Sequence, residues 1–407
     1  MNHISKLSVL FLLLSFIFAA CSQPAIQTSQ VQLPEADDEK PAQEDGPVID
    51  PAVAKGLPLG VMTSGSTDSV LKLFDLAGVE TGQIPVPGAT DLYPEDVHAT
   101  SPSMGGSPPS VVYKTWDPSQ AIMLASGGSA AALRETTSFL GMAGAAGQPA
   151  FAFSEALFEE QGLRSFLYAV TLENAGSAAP FYELSHDPTG MALKPVGMEA
   201  VSGMPQGVWY TKTAWGIGGV DLIFPITRGL YFFDLTTGDN LQVVDPEQDF
   251  QGISPDLSFA ASVEFDMEGD KTMKVHQLEN GAVIKFPLNP ASDRGAGFAV
   301  FSPDNRFVSW MEGEGSWMPD PPTFKSRVRI GEITSGGVVQ EIDSTTAADI
   351  IEWNQLGRFV PVGWIDNSNV LIEARSDNWD QAALMKYNSK TGGLSYFCSG
   401  SFAAFVY

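Results

Sequence analysis

The chain has 407 residues, with 48 acidic against 22 basic side chains and a formal net charge of -26. A surface this anionic repels phosphate backbones and acidic lipid headgroups, which excludes nucleic acid as a partner. Cys21 and Cys398 are the only cysteines, so no disulfide framework can hold the folded part, and packing must do so. Gly (40) and Pro (28) are frequent, strand formers are abundant and amphipathic helical stretches are scarce, a pattern that predicts an all-β fold with many turns.

Residues 1–20 read as a secretory signal: Lys6, an apolar run over 7–18, then Ala19 and Ala20. The run is short for a membrane span, which needs about 20 residues. Phe18, Ala19, Ala20 and Cys21 resemble the lipobox of bacterial lipoproteins, with Phe18 where leucine is usual. The resemblance implies that the Cys21 thiol is diacylglycerylated, that the signal is cut before it, and that the new amine is acylated. Such acyl chains together anchor stably. The alternative is an ordinary signal peptide with a cysteine nearby. Residues 21–56 then form a tether rich in Gln, Pro, Ala and acid, with no apolar periodicity to offset the entropy of folding. Ser22 is not the aspartate that retains such proteins in the inner membrane of Gram-negative cells. The expected location is extracytoplasmic, anchored to the outer face of the plasma membrane or to the outer membrane.

Residues 57–407 carry the fold. The first strands fall at 59–63, 70–76 and 82–86, followed by a long loop over 87–110 that contains Tyr93, His98 and a Pro-Ser-Gly-rich stretch. Two elements then alternate. One is an alternating strand, a turn containing glycine, and a second strand; its turn glycines are Gly78, Gly176, Gly238, Gly281, Gly336 and Gly392, with residues 131–140 as a degenerate copy. The other is an apolar strand ending in Ser-Pro-Asp, a turn and a second apolar strand. It is clearest at Ser302, Pro303 and Asp304, recurs at Ser254, Pro255 and Asp256, and is worn at Asp366, Asn367 and Ser368. Proline fixes φ and the aspartate bonds its own backbone, which makes a tight hairpin. Together the two elements make a four-stranded unit, and seven units of about 50 residues predict a β-propeller. An irregular pair of β-sandwiches is the other arrangement that short strands with turn signals allow. The leftover apolar stretch 401–407 is expected to supply the missing inner strand of the first blade, pairing beside 59–63 and closing the ring.

The Ser-Pro-Asp turn resembles that of the TolB-like, WD-repeat-like propellers, sharply over 230–400 and weakly elsewhere. The resemblance implies a propeller that binds partners. TolB has an N-terminal α/β domain where this chain has a tether, so its role as partner of an outer-membrane lipoprotein is not implied. A hydrolase domain of the kind that accompanies propellers in prolyl oligopeptidases is not expected after the last blade.

No nucleophile elbow, phosphate-binding loop, Cys-x-x-Cys or His-Glu-x-x-His occurs, so no catalytic residue, cofactor site or metal site is predicted. His98, His186 and His276 lack ligand spacing, and His276 reads as a solvated strand position. Asp266, Glu268 and Asp270 alternate like the start of a calcium loop, but Gln277 stands where the loop needs glutamate. Residues 245–249 read as a loop between blades. Trp209, Trp215 and Trp364 read as core between blades. The second long loop, 312–326, sets Trp317, Met318 and Phe324 among prolines. These three are candidate contacts for a protein partner, or else pack on the neighbouring blade. The expected function is that of a monomeric binding or scaffold lipoprotein for an unknown protein, peptide or glycan. The alternative is a propeller glycan hydrolase or lyase using carboxylates at the channel mouth. Asp256 and Asp304 offer themselves for that chemistry, but the turn motif already explains both.

Overall fold

A computed structural model describes residues 57–65, 69–100, 109–115, 120–136, 138–215, 223–264, 272–316 and 323–407. The signal, Cys21 and the tether lie outside the described residues, as does the acidic run at 266–270. Seven antiparallel four-stranded sheets form the β-propeller expected from the repeats. Blades 2 to 7 are continuous in sequence, at 97–135, 139–187, 191–244, 248–287, 295–343 and 356–399. Blade 1 takes three strands from 60–85 and its inner strand, Ser401–Val406, from the other end of the fold.

Burial follows position within a blade. Second strands are covered on both faces by neighbouring blades, so they are apolar almost throughout rather than alternating. Val111, Val112 and Tyr113 in blade 2 and Val370, Leu371 and Ile372 in blade 7 are all buried. Outer strands such as Ser129–Glu135 are largely exposed. Trp364 shows how blades meet: it stacks on Phe307 at 5.9 Å between centroids, and its indole N–H donates to the Val300 carbonyl of blade 6. Trp209 is buried between blades 4 and 5 with Phe250 and Ala260, and Trp215 packs with Ala156, Leu163 and Ala192.

Ring closure is as expected from the leftover strand. Ser401–Val406 pairs with Gly60–Ser64 in the register Val61 to Phe405, Met62 to Ala404 and Thr63 to Phe402. Phe402, Ala403 and Val406 are buried in the seam. Burying each large side chain contributes about 1.5–3 kcal/mol. Two charged residues of blade 7 fasten the seam. Glu373 accepts the Phe402 N–H at 2.8 Å, and the Arg375 guanidinium donates to the Ser401 hydroxyl at 2.8 Å.

The Ser-Pro-Asp turns join inner to second strands, as read, but the serine carries more of the turn than the pattern suggested. The Ser302 hydroxyl is fully buried; it accepts the Phe307 N–H at 2.9 Å and donates to Asp304 at 2.7 Å. Ser254 repeats this with Phe259 and Asp256. Each of the six turn glycines lies between the third and outer strands of its blade. The degenerate copy is displaced: residues 131–140 straddle blades 2 and 3, and the turn itself is at Gly127 and Gly128. His276 is half-buried rather than solvated, with Nε2 at 2.7 Å from the Ser262 hydroxyl. One α-helix, Ser344–Ile351, connects blades 6 and 7 and is N-capped by Asp343.

Inner strands carry a second repeat that the sequence concealed. Pairing with the second strand shifts at Gly141, Gly197, Gly252, Gly297 and Gly363. These are β-bulges, which bend a strand and redirect side chains. Glycine permits close approach: a Cβ on Gly252 would lie 2.0 Å from the Ala299 carbonyl oxygen of the next blade.

Candidate functional site

Two families of loops share one face of the ring, those entering inner strands and those joining second to third strands. A cavity of about 810 Å³ opens there. The two long loops singled out by their length both reach it, through Tyr93, Pro94 and Glu95 from one and Phe324 from the other. Trp317 and Met318 lie outside the described residues. Phe324 is 1 % exposed and packs with Met311 and Val360, so it is a buried wall of the cavity rather than a displayed anchor.

One wall is apolar. Ile223, Phe224 and Phe298 line it beside Met311, Phe324, Val360 and Val362. The bulge in the blade 6 inner strand turns Phe298 into this wall. Its φ is 56°, a left-handed value that is strained for a bulky residue. Gln251 holds the bulge by accepting the Phe298 N–H at 3.2 Å. A Cβ on Gly297 would lie 2.5 Å from both Gln251 Oε1 and the Phe224 ring, so a side chain there would displace the group that holds the bulge or the ring beside it. Phe224 and Phe298 meet at 5.8 Å between centroids.

The charged part of the lining is Glu95, Arg358 and Glu373, held by neighbours behind it. The short 3-10 turn Pro94–Asp96 sets Glu95 at 3.6 Å from Lys194 and Asp96 at 3.7 Å from Lys114. Lys194 holds the Glu95 carboxyl below the usual carboxylate range, against the opposing effect of burial. Glu373 accepts Arg375 Nε at 2.7 Å. Arg375 lies between the Tyr93 and Trp379 rings, 5.2 and 5.9 Å from their centroids. Arg358 adjoins the apolar wall, 4.4 Å from the Phe298 centroid. Desolvation lowers the Arg358 pKa, which Glu373 and Glu95 oppose. Trp379 stands at the rim, 48 % exposed.

Of these residues only Tyr93 and Phe324 were singled out from sequence. A usable signal existed for the others. Arg358 interrupts an otherwise apolar strand, Leu356–Trp364, and Glu373 and Arg375 interrupt Asn369–Ser376. Charges in strands covered on both faces need partners, and so they mark either a seam or a site. The histidines do not converge here. His98 is buried in the blade 2 inner strand, with Nε2 at 2.9 Å from the Gln148 carbonyl oxygen. Cys398 is buried, and burial pushes its thiol up to about 12, far from a reactive thiolate. No group of His, Cys, Asp and Glu suited to a metal occurs among the described residues.

No protein-family model matches this sequence, and no curated protein matches it. Solved structures do. The chain is similar to an oligogalacturonate lyase from Vibrio parahaemolyticus, at 10% identity and TM-score 0.52, over 81% of this chain and 91% of the lyase. It is similar to a puromycin-hydrolyzing peptidase from Mycobacterium tuberculosis, at 11% identity and TM-score 0.51, over 85% of this chain. It spans about half of that peptidase, 54% of its length. TolB from Acinetobacter baumannii also matches, at 12% identity and TM-score 0.38, over 83% of this chain and 82% of TolB. At these identities the likeness is one of fold, and the neighbours include enzymes as well as TolB propellers.

Proposed function

We propose that this chain is an envelope lipoprotein, anchored through Cys21, that binds a protein, peptide or glycan partner at the loop-bearing face of its propeller. The observation that supports binding is the large cavity on which both long loops converge. Its chemistry favours recognition over turnover. A general acid needs a raised pKa and a free proton, whereas of the carboxylates lining the cavity Glu95 is held low by Lys194 and Glu373 is committed to Arg375 and the Phe402 N–H. Asp256 and Asp304 are occupied within their turns.

A photo-crosslinking residue at Trp379, on the rim, should capture the partner in intact cells. The same residue at Val283, exposed on the outer strand of blade 5, should not. Equal capture from both positions would remove the cavity from the account. Cys21→Ala should abolish acyl labelling and release the chain from membranes or stall its processing. Unchanged membrane association in that variant would defeat the anchor.

A further inference from the structure

Among the described residues, Arg358 is the cation lining the cavity, and none of them pairs with it. Its guanidinium has five N–H donors in a planar fork. It makes no hydrogen bond or ion pair with any described residue, and its close neighbour is the face of the Phe298 ring. Other arginines of blades 6 and 7 are occupied: Arg375 holds Glu373 and Ser401, Arg329 holds Glu312, and Arg327 holds Glu314. The carboxylates acting on Arg358 are themselves engaged, Glu95 facing Lys194 and Glu373 bonded to Arg375. Arg375 is also the cross-strand partner of Arg358, so two guanidiniums share a neighbourhood in which the carboxylate is taken by one of them. The result is a cation with no partner among the described residues, beside an apolar wall, in a chain of net charge -26.

We propose that Arg358 receives the carboxylate of a ligand whose body is apolar and lies along Phe298, Phe224 and Phe324. This inference rests on the cavity being a binding site. A guanidinium pairs with a carboxylate through two parallel N–H···O bonds, and partial desolvation strengthens them. The ligand carries one negative charge close to the apolar body, because a second would face Glu95 and Glu373. Hydrophobic peptide C-termini and free arylalkanoic acids share this chemistry.

The test is calorimetry on the full chain in detergent, with two acid probes and their amides: 3-phenylpropionate and acetyl-Ala-Ala-Phe. Charge-assisted hydrogen bonds predict that acid binds about ten- to a hundredfold more tightly than amide. Arg358→Gln should bring acid binding down to the level of amide binding and so erase that preference, and Arg358→Lys should keep part of it. Binding of the tripeptide acid alone assigns the site to peptide ends, and binding of both acids assigns it to small acids as well. If Arg358→Gln melts early, salt titration of the unaltered chain decides, since acid binding must weaken with salt while amide binding does not. Equal binding of acid and amide, a preference that survives Arg358→Gln, or no binding of either acid at millimolar concentration overturns the inference. Should crosslinking from Trp379 persist in any of those cases, the cavity remains the binding site and only its anion chemistry falls.

Discussion

In blades 5 to 7 the inner and second strands are joined by turns in which Ser254, Ser302 and Asp366 close the chain on itself. In blades 3 and 4 no side chain closes the corresponding turn among the described residues, and ring packing of the kind that joins Trp364 to Phe307 carries the contacts. Phe153 and Tyr168 of blade 3 stack at 4.5 Å, and Arg134 of blade 2 lies 4.5 Å from the Tyr168 centroid. Phe181, just before the outer strand of blade 3, meets Phe233 of blade 4 at 4.8 Å. Adjacent residues hold the first group of turns, and residues far apart in the chain hold the second group of contacts. One fold therefore combines a region that adds local turn bonds to its ring packing with a region that relies on ring packing.

The seam where these halves meet is the place to break the comparison most severely. Deleting residues 401–407 removes the inner strand of blade 1 and the partners of Glu373 and Arg375, and leaves an open sheet edge. The expected outcome is aggregation or loss of cooperative unfolding, read by calorimetry and limited proteolysis. A truncated chain that melts like the full one would mean that closure is made elsewhere. Within the aromatic half, Phe153→Ala removes a fully buried ring and should cost about 3–5 kcal/mol in denaturant unfolding. Within the turn half, Ser302→Ala strands the Phe307 N–H and should cost about 1–3 kcal/mol. A reversal of that order would show that turn chemistry, not ring packing, dominates both halves.

A pH-dependent effect, read as a relative shift between two melting curves, is sited between the halves. Burial raises the Asp249 carboxyl from 3.8 to about 6, against the pull of Arg228. The folded state thus holds its proton more tightly than the unfolded state. This contribution to stability is fully present below pH 3.8 and is lost as pH rises toward about 6. The melting temperature of Asp249→Asn, compared with that of the parent across this window, should rise relative to it with pH. Parallel curves would show that Asp249 titrates alike in both states.

The same contrast explains what was legible in the sequence. Ser302, Pro303 and Asp304 form a short motif because one turn uses all three, and so blades 5 to 7 were plain. Blade 2 was misplaced by several residues because its turn, at Gly127 and Gly128, is flanked by serine and alanine and has no aspartate or asparagine to mark it. The bulges at Gly252 and Gly297 were missed because a glycine within a strand reads as a break unless the approach of a neighbouring blade is known. The cavity was half legible. Long loops announce themselves by length, whereas Arg358 and Glu373 acquire meaning only when blade 7 is set beside Tyr93, Glu95 and the closing strand.

Glu373 belongs to both the cavity wall and the seam, since one carboxylate oxygen accepts Arg375 and the other accepts the Phe402 N–H. Occupancy and ring opening are thereby thermodynamically linked. A ligand that binds only the closed ring lowers the population of the opened seam by the factor that its free concentration sets against its dissociation constant. Deuterium uptake at the Phe402 amide is then a gauge of cavity occupancy, readable without knowing the ligand.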